Sequence, residues 1–341
     1  MSTMAPGKKY GHLSAMDPEF VPFKPMSDAF LVKLWNRPLK QTRAMLKMPF
    51  PFPDFVPKAE EFQITERTVP VRDGTEIGIK VYASKAKANV DAGDVVLFYV
   101  MHGGGWVVGS HGIEEIMNRY VARDNGAVVV SVDYRMAPEF KYPYAVNDSF
   151  DVLLWCKGNA KELGINPERI IVGGSSAGGN LAAVMALKAR NEKVTGIIGQ
   201  ILNIPVTCHP DFYPADKYEL GSWEQNKDAS GLSMMRMQYF WNQYTPEPTR
   251  EEYASPLLAK SLEGLPPALI QVAGLDPLRD EALAYADALQ ATGVQVTVQV
   301  YPGLPHGFGA MMMLEKASRK YQSANVNWIR YITDSYASSK L

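Results

Sequence analysis

The sequence predicts an α/β protein, with one mostly parallel sheet covered by helices on both faces. Two observations carry this. Nearly continuous Val/Ile runs of strand length recur along the chain, and longer helical patterns separate them. A third, the Gly-rich loops that follow two of these runs, marks where chemistry can sit at strand ends.

Taken in order, residues 1–60 read as an N-terminal cap segment. "VPFKPMSDAFLVKLW" and "MLKMPFPFPDFVP" are rich in Pro, Phe and Met, with short amphipathic stretches and no strand alternation. So many aromatic residues argue against a disordered tail. The core is expected over 61–341. It opens with "FQITERTVPV" and "TEIGIKVYA", which alternate around "RDG" as a hairpin. The strands "DVVLFYVM", "AVVVSVDY" and "RIIVGG" follow, each leading into a helix: "IEEIMNRYVARDN", "YAVNDSFDVLLWCKGNA" and "NLAAVMALKARN". "IIGQILNI" comes next, then "PALIQVAG" with "RDEALAYADALQATG", and "QVTVQVYP" with the terminal helix "SRKYQSANVNWIRYI". The alternation breaks at about 206–254, which reads as a second cap insertion without strand character.

Composition narrows the class of function. The chain has 341 residues, 46% hydrophobic and 21% charged, with a formal net charge of -1. A near-neutral balance offers no electrostatic footprint for nucleic acid. Cys156 and Cys208 show no metal-type spacing and cannot form a disulfide framework. No leader-like apolar run opens the sequence, and no segment approaches the length of a membrane span. A cytoplasmic location without a stable membrane anchor is the expectation.

The stretch "VGGSSAGGN" holds two adjacent serines. A strand-to-helix elbow of the form G-x-S-x-G needs glycine two residues before and two after the serine. Ser175 fails this test because Ala177 stands where the second glycine must be. Ser176 passes, between Gly174 and Gly178, with a strand before it and a helix after it. In "MHGGGWVVGS", Gly103 to Gly105 let backbone N–H groups face outward toward a developing oxyanion. The spacing fits neither a dinucleotide fingerprint nor a P-loop. Gly104, Gly105 and the N–H of Ala177 are the candidate oxyanion donors, with His102 and Gly103 supporting the loop. The acid and the base must come later in the chain. Asp276 lies at the end of the strand "PALIQVAG", on the loop before a helix, and His306 lies on the loop after the following strand, in "VQVYPGLPHGFGAM". Asp280 and Glu281 are rival acids, but they fall in the first turn of a helix, where acidic side chains are favoured anyway.

Together, "HGGGW", "VDYRMAPEFKYP", "GSSAGGN", "DPLRDE" and "HGF" resemble the hormone-sensitive-lipase family of serine carboxylesterases. The resemblance runs from about Phe62 to the end of the chain. It implies an α/β-hydrolase fold with a helical cap, in which Ser176, His306 and Asp276 hydrolyse an ester through an acyl-enzyme. No metal or other cofactor is implied. The N-terminal segment is similar to that of fungal members. One departure stands out: the family usually carries Asp immediately before the nucleophile, where this chain has Ser175. Tyr134 and Arg135, in "DYRMAPE", read as braces beneath the site. Relatives that act as plant hormone receptors lack the histidine, and related dehydratases can replace the serine; this chain keeps both. Ester hydrolysis is therefore favoured over an acyltransferase, lactone-forming cyclase or dehydratase of secondary metabolism, and over a non-catalytic receptor.

The cap segments hold Phe20, Phe23, Phe30, Trp35, Phe50, Phe52, Trp223, Tyr239, Phe240 and Trp241, with Met234, Met235 and Met237. Their aggregate implies an apolar cavity over Ser176. Trp106, Ser175, Trp223 and Phe240 are the expected pocket residues. The expected partner is a small neutral ester of short or medium chain, or a natural-product ester, and a homodimer is left open.

Overall fold

The computed structural model describes residues 9–48, 51–87 and 92–338. Its strands fall on the apolar runs: β1 (Phe62–Pro70), β2 (Glu76–Ser84), β3 (Leu97–Met101), β4 (Val128–Asp133), β5 (Ile170–Ser175), β6 (Ile197–Asn203), β7 (Ala268–Leu275) and β8 (Val296–Pro305). They form one 8-stranded sheet in the order β1-β2-β4-β3-β5-β6-β7-β8. β1 pairs antiparallel with β2, as the "RDG" turn requires, and β2 pairs antiparallel with β4. Every other neighbouring pair is parallel.

The helices are α1 (Lys24–Trp35), α2 (Leu39–Leu46), α3 (Glu115–Asn125), α4 (Tyr144–Gly158), α5 (Ala160–Leu163), α6 (Ala177–Asn191), α7 (Gly221–Gln225), α8 (Met234–Tyr244), α9 (Arg279–Ala291) and α10 (Glu315–Ser338). The central strands read as continuous apolar runs because both of their faces are covered. In β3, Leu97, Tyr99 and Met101 join the core formed with α4, α6 and α9, whereas Phe98 and Val100 pack with Met117 of α3 and Trp328 of α10. Among the described residues, no helix is long and apolar enough to cross a membrane.

Two segments outside the alternating pattern lie over the carboxyl ends of the strands. The N-terminal segment is latched to β8 and β7: Asp17 N–H donates to Gly303 O at 3.1 Å, and Ser14 Oγ donates to Gly274 O at 3.3 Å. Phe20 is buried in a cluster with Tyr301 and Phe308. Farther along, Arg43 of α2 donates to the carbonyls of Val107 and Ala137 and pairs with Glu139. The 206–254 stretch contributes α7 and α8 and no strand. Trp35 of α1 meets Phe240 of α8 edge-on, with ring centroids 5.7 Å apart. Phe50 lies outside the described residues.

Candidate active site

Four strand ends along the carboxyl edge of the sheet carry the expected groups. His102 follows β3, Ser176 follows β5, Asp276 follows β7 and His306 follows β8. Parallel strands end on the same edge, so residues far apart in sequence are brought together there.

Ser176 adopts φ 57° and ψ −117°, a conformation that costs a side chain-bearing residue roughly 1–3 kcal/mol. Surrounding bonds hold it there. Ser176 N–H donates to Asn203 O at 2.8 Å, and Ser176 O accepts from Asn180 N–H at 3.0 Å. The flanking glycines are required by close approach. A Cβ on Gly174 would lie 2.3 Å from Met101 O, and one on Gly178 would lie 2.1 Å from the same oxygen. The elbow thus presses against the end of β3, which carries the glycine loop.

In that loop, Gly104 has φ 117°, and a Cβ there would come within 2.0 Å of Val108 O. Among the described residues, the N–H groups of Gly104, Gly105 and Ala177 have no acceptor. Ala177 is the first residue of α6, so its N–H also lies at the positive end of a helix dipole. His102 is fully buried and its Nδ1–H donates to Gly103 O at 2.8 Å, with Nε2 3.5 Å from Asp133 Oδ1. Burial alone would raise the Asp133 carboxyl, but His102, with Lys47 and His111, outweighs it and holds the group at about 2. Tyr134 stacks on the His102 ring at 4.2 Å and donates its hydroxyl to His102 O, while Arg135 pairs with Asp148 and Asp73.

His306 Nδ1–H donates to Asp276 Oδ2 at 2.6 Å. Asp276 Oδ1 accepts from Leu278 N–H at 2.9 Å, so the carboxylate is oriented from both sides. A proton on Nδ1 leaves Nε2 of the neutral ring as a base. The rival acids are engaged elsewhere. Asp280 pairs with the buried Arg279 and accepts from Ser222 N–H, and Glu281 accepts from Thr207 N–H and the Trp223 indole.

Ser176 and His306 line one cavity of about 200 Å³, together with Gly103 to Gly105. Its walls come from both cap segments, with Leu34, Trp35 and Leu46 on one side and Leu232 and Phe240 on the other. Of the expected pocket residues, Ser175 and Phe240 line it. Trp106 and Trp223 do not, and those two expectations are corrected. Trp106 has φ 58°, which turns its side chain away from the cavity; it lies fully buried against Trp241 and stacks on Tyr244 at 4.2 Å. Trp223 is directed at Glu281 beneath the acid loop.

The structure also supplies residues that the sequence reading missed. Ser175 Oγ donates to Glu114 Oε2 at 3.0 Å, and Glu114 Oε1 accepts Gly103 N–H at 3.3 Å. A carboxyl group therefore does lie beside the elbow, contributed by the residue just before α3 instead of the residue before Ser176. Burial raises the Glu114 carboxyl to about 7. Tyr321 and Gln322 of α10 also line the cavity. In the sequence, Glu114 fell at the start of the helix "IEEIMNRYVARDN" and Tyr321 and Gln322 fell in the terminal helix, so none of the three carried a signal of its own.

A serine on a strained elbow at β5, with a histidine after the last strand, defines an α/β hydrolase. A family model for the alpha/beta hydrolase fold matches residues 97–310, from β3 to just beyond His306. The chain is 39% identical over 271 residues to carboxylesterase NlhH of Mycobacterium tuberculosis, covering 78% of this chain and 81% of that one. It is 33% identical to ethyl acetate hydrolase of Pseudomonas putida, covering 73% and 76% of the two chains. Among solved structures, vibralactone cyclase superposes with TM-score 0.81 at 26% identity, over 97% of this chain and 98% of that one. This chain belongs to the α/β-hydrolase family, in its hormone-sensitive-lipase-like carboxylesterase branch.

Proposed function

We propose that the protein cleaves neutral esters of short or medium acyl chain, including natural-product esters, with Ser176 as nucleophile, His306 as base and Asp276 as its orienting acid. The observation that carries this reading is the His306–Asp276 bond of 2.6 Å on the wall of the cavity that also holds the strained Ser176. His306 takes the Ser176 proton as Oγ attacks the ester carbonyl, and Asp276 stabilises the resulting imidazolium. The unpaired N–H groups of Gly104, Gly105 and Ala177 meet the oxyanion, each worth roughly 3–4 kcal/mol of barrier. His306 then protonates the leaving alcohol, and water repeats the sequence on the acyl-enzyme. The preference for a neutral substrate rests on the lining: among the described residues no Lys or Arg lines the cavity, and Glu114 in its wall is held at about 7.

The test is intact-mass labelling with a fluorophosphonate, on wild type and on Ser176→Ala. One adduct on wild type and none on the variant is expected, after which an ester series ranks chain length. An adduct that persists in the variant, or none on folded wild type, overturns the assignment. The likeness to vibralactone cyclase favours a second reading, in which a nucleophile within the acyl group displaces Ser176 in place of water. Product mass separates the two, because hydrolysis adds a water and cyclisation does not.

A further inference from the structure

The cavity over Ser176 is apolar along most of its wall, but three side chains give one part of it a different chemistry. Glu114, Tyr321 and Gln322 all line it and all are buried. Tyr321 OH lies 3.2 Å from Ser175 Oγ, which in turn donates to Glu114 Oε2 at 3.0 Å. Either hydroxyl can donate across the Tyr321–Ser175 contact, and in both arrangements the Tyr321 oxygen keeps capacity for a further hydrogen bond. Gln322 Nε2 donates to Gly309 O at 3.2 Å, which fixes the amide, since a carbonyl can only accept. The other end of that amide, Oε1, is buried and has no partner among the described residues. Buried acceptors left unpaired are uncommon, because each forfeits its bonds to water. One unfilled acceptor, Gln322 Oε1, and a hydroxyl with spare hydrogen-bonding capacity, Tyr321 OH, thus belong to adjacent cavity-lining residues of one helix, a pair that a hydroxyl on the ligand would satisfy.

We infer that Tyr321 and Gln322 form a polar subsite that selects esters bearing a neutral hydroxyl away from the scissile bond. The inference deepens the ester reading above and rests on it for the location of the reacting carbonyl. An unsubstituted acyl chain would fill the same space while leaving Gln322 Oε1 without a partner. A site built to bond a substrate hydroxyl discriminates strongly against the analogue that lacks it. Charged groups are disfavoured, because no Lys or Arg among the described residues lines the cavity and the carboxyl beside the subsite is itself buried.

The experiment compares ethyl esters of ω-hydroxy acids with unsubstituted esters of equal length, on wild type, Gln322→Leu and Tyr321→Phe. At one length at least, wild type is expected to favour the hydroxy ester by about tenfold or more in kcat/KM. Each substitution lowers that ratio toward one. The leucine variant keeps a donor to Gly309 O, from Ser318 Oγ at 2.9 Å, and the tyrosine variant serves should it fail to fold. A wild-type ratio at or below one at every length, or a preference that both variants leave intact, overturns the subsite. Matched amides, with and without the hydroxyl, read the same preference by calorimetry. Failure of the serine chemistry is thus distinguishable from failure of the subsite.

Discussion

Replacing Glu114 by Gln is expected to stabilise the protein at alkaline pH and to have little effect in mild acid. Burial raises the Glu114 carboxyl from 4.5 to about 7, against the opposing bonds from Ser175 and Gly103. That displacement corresponds to about 3 kcal/mol. The direction follows from proton linkage. Below 4.5 the group is protonated in both folded and unfolded chains, and it adds no pH dependence. As pH rises toward 7, the unfolded chain releases its proton while the folded protein retains it, so stability falls. Above 7 the folded group ionises too, and the full cost persists. Glutamine has no proton to lose, yet its oxygen can accept Gly103 N–H and its amide can donate to Ser175 Oγ. Urea unfolding of both proteins from about pH 5 to about pH 8.5 reads the difference directly, because every other titrating group is common to both. The variant's advantage is expected to grow from under about 1 kcal/mol at the acid end to about 3 kcal/mol at the alkaline end. Parallel curves across that range would show that Glu114 ionises freely in the folded state, and the burial argument would be refuted.

Two further substitutions separate chemistry from packing. Asp276→Asn removes the acceptor that selects the His306 tautomer; kcat is expected to drop about 10⁴-fold with the fold intact, measured by ester turnover alongside circular dichroism. Trp106→Ala empties a fully buried site stacked on Tyr244. It is expected to cost about 3–5 kcal/mol in urea unfolding while the ranking of ester chain lengths stays as in wild type. A changed ranking would put Trp106 back among the substrate contacts.

The sequence by itself determined whatever depends on local pattern. Strands buried on both faces must be apolar throughout, so the Val/Ile runs marked them, and the elbow glycines marked Ser176 because no side chain fits against the end of β3. Asp276 and His306 were legible because each directly follows a strand whose end the pattern located. Tertiary structure alone decided which side chains face the cavity. Trp106 follows the glycine loop in sequence, yet its left-handed backbone turns the indole into the core. Glu114 and Tyr321 lie 61 and 146 positions from Ser175, and both reach its hydroxyl. Nothing in the spacing of those residues foretells their meeting, because α3 and α10 are brought side by side only when each buries its apolar face against the same side of the sheet. The direction of a side chain follows from the backbone angles and from what packs behind it, and those are settled only once the sheet has been covered.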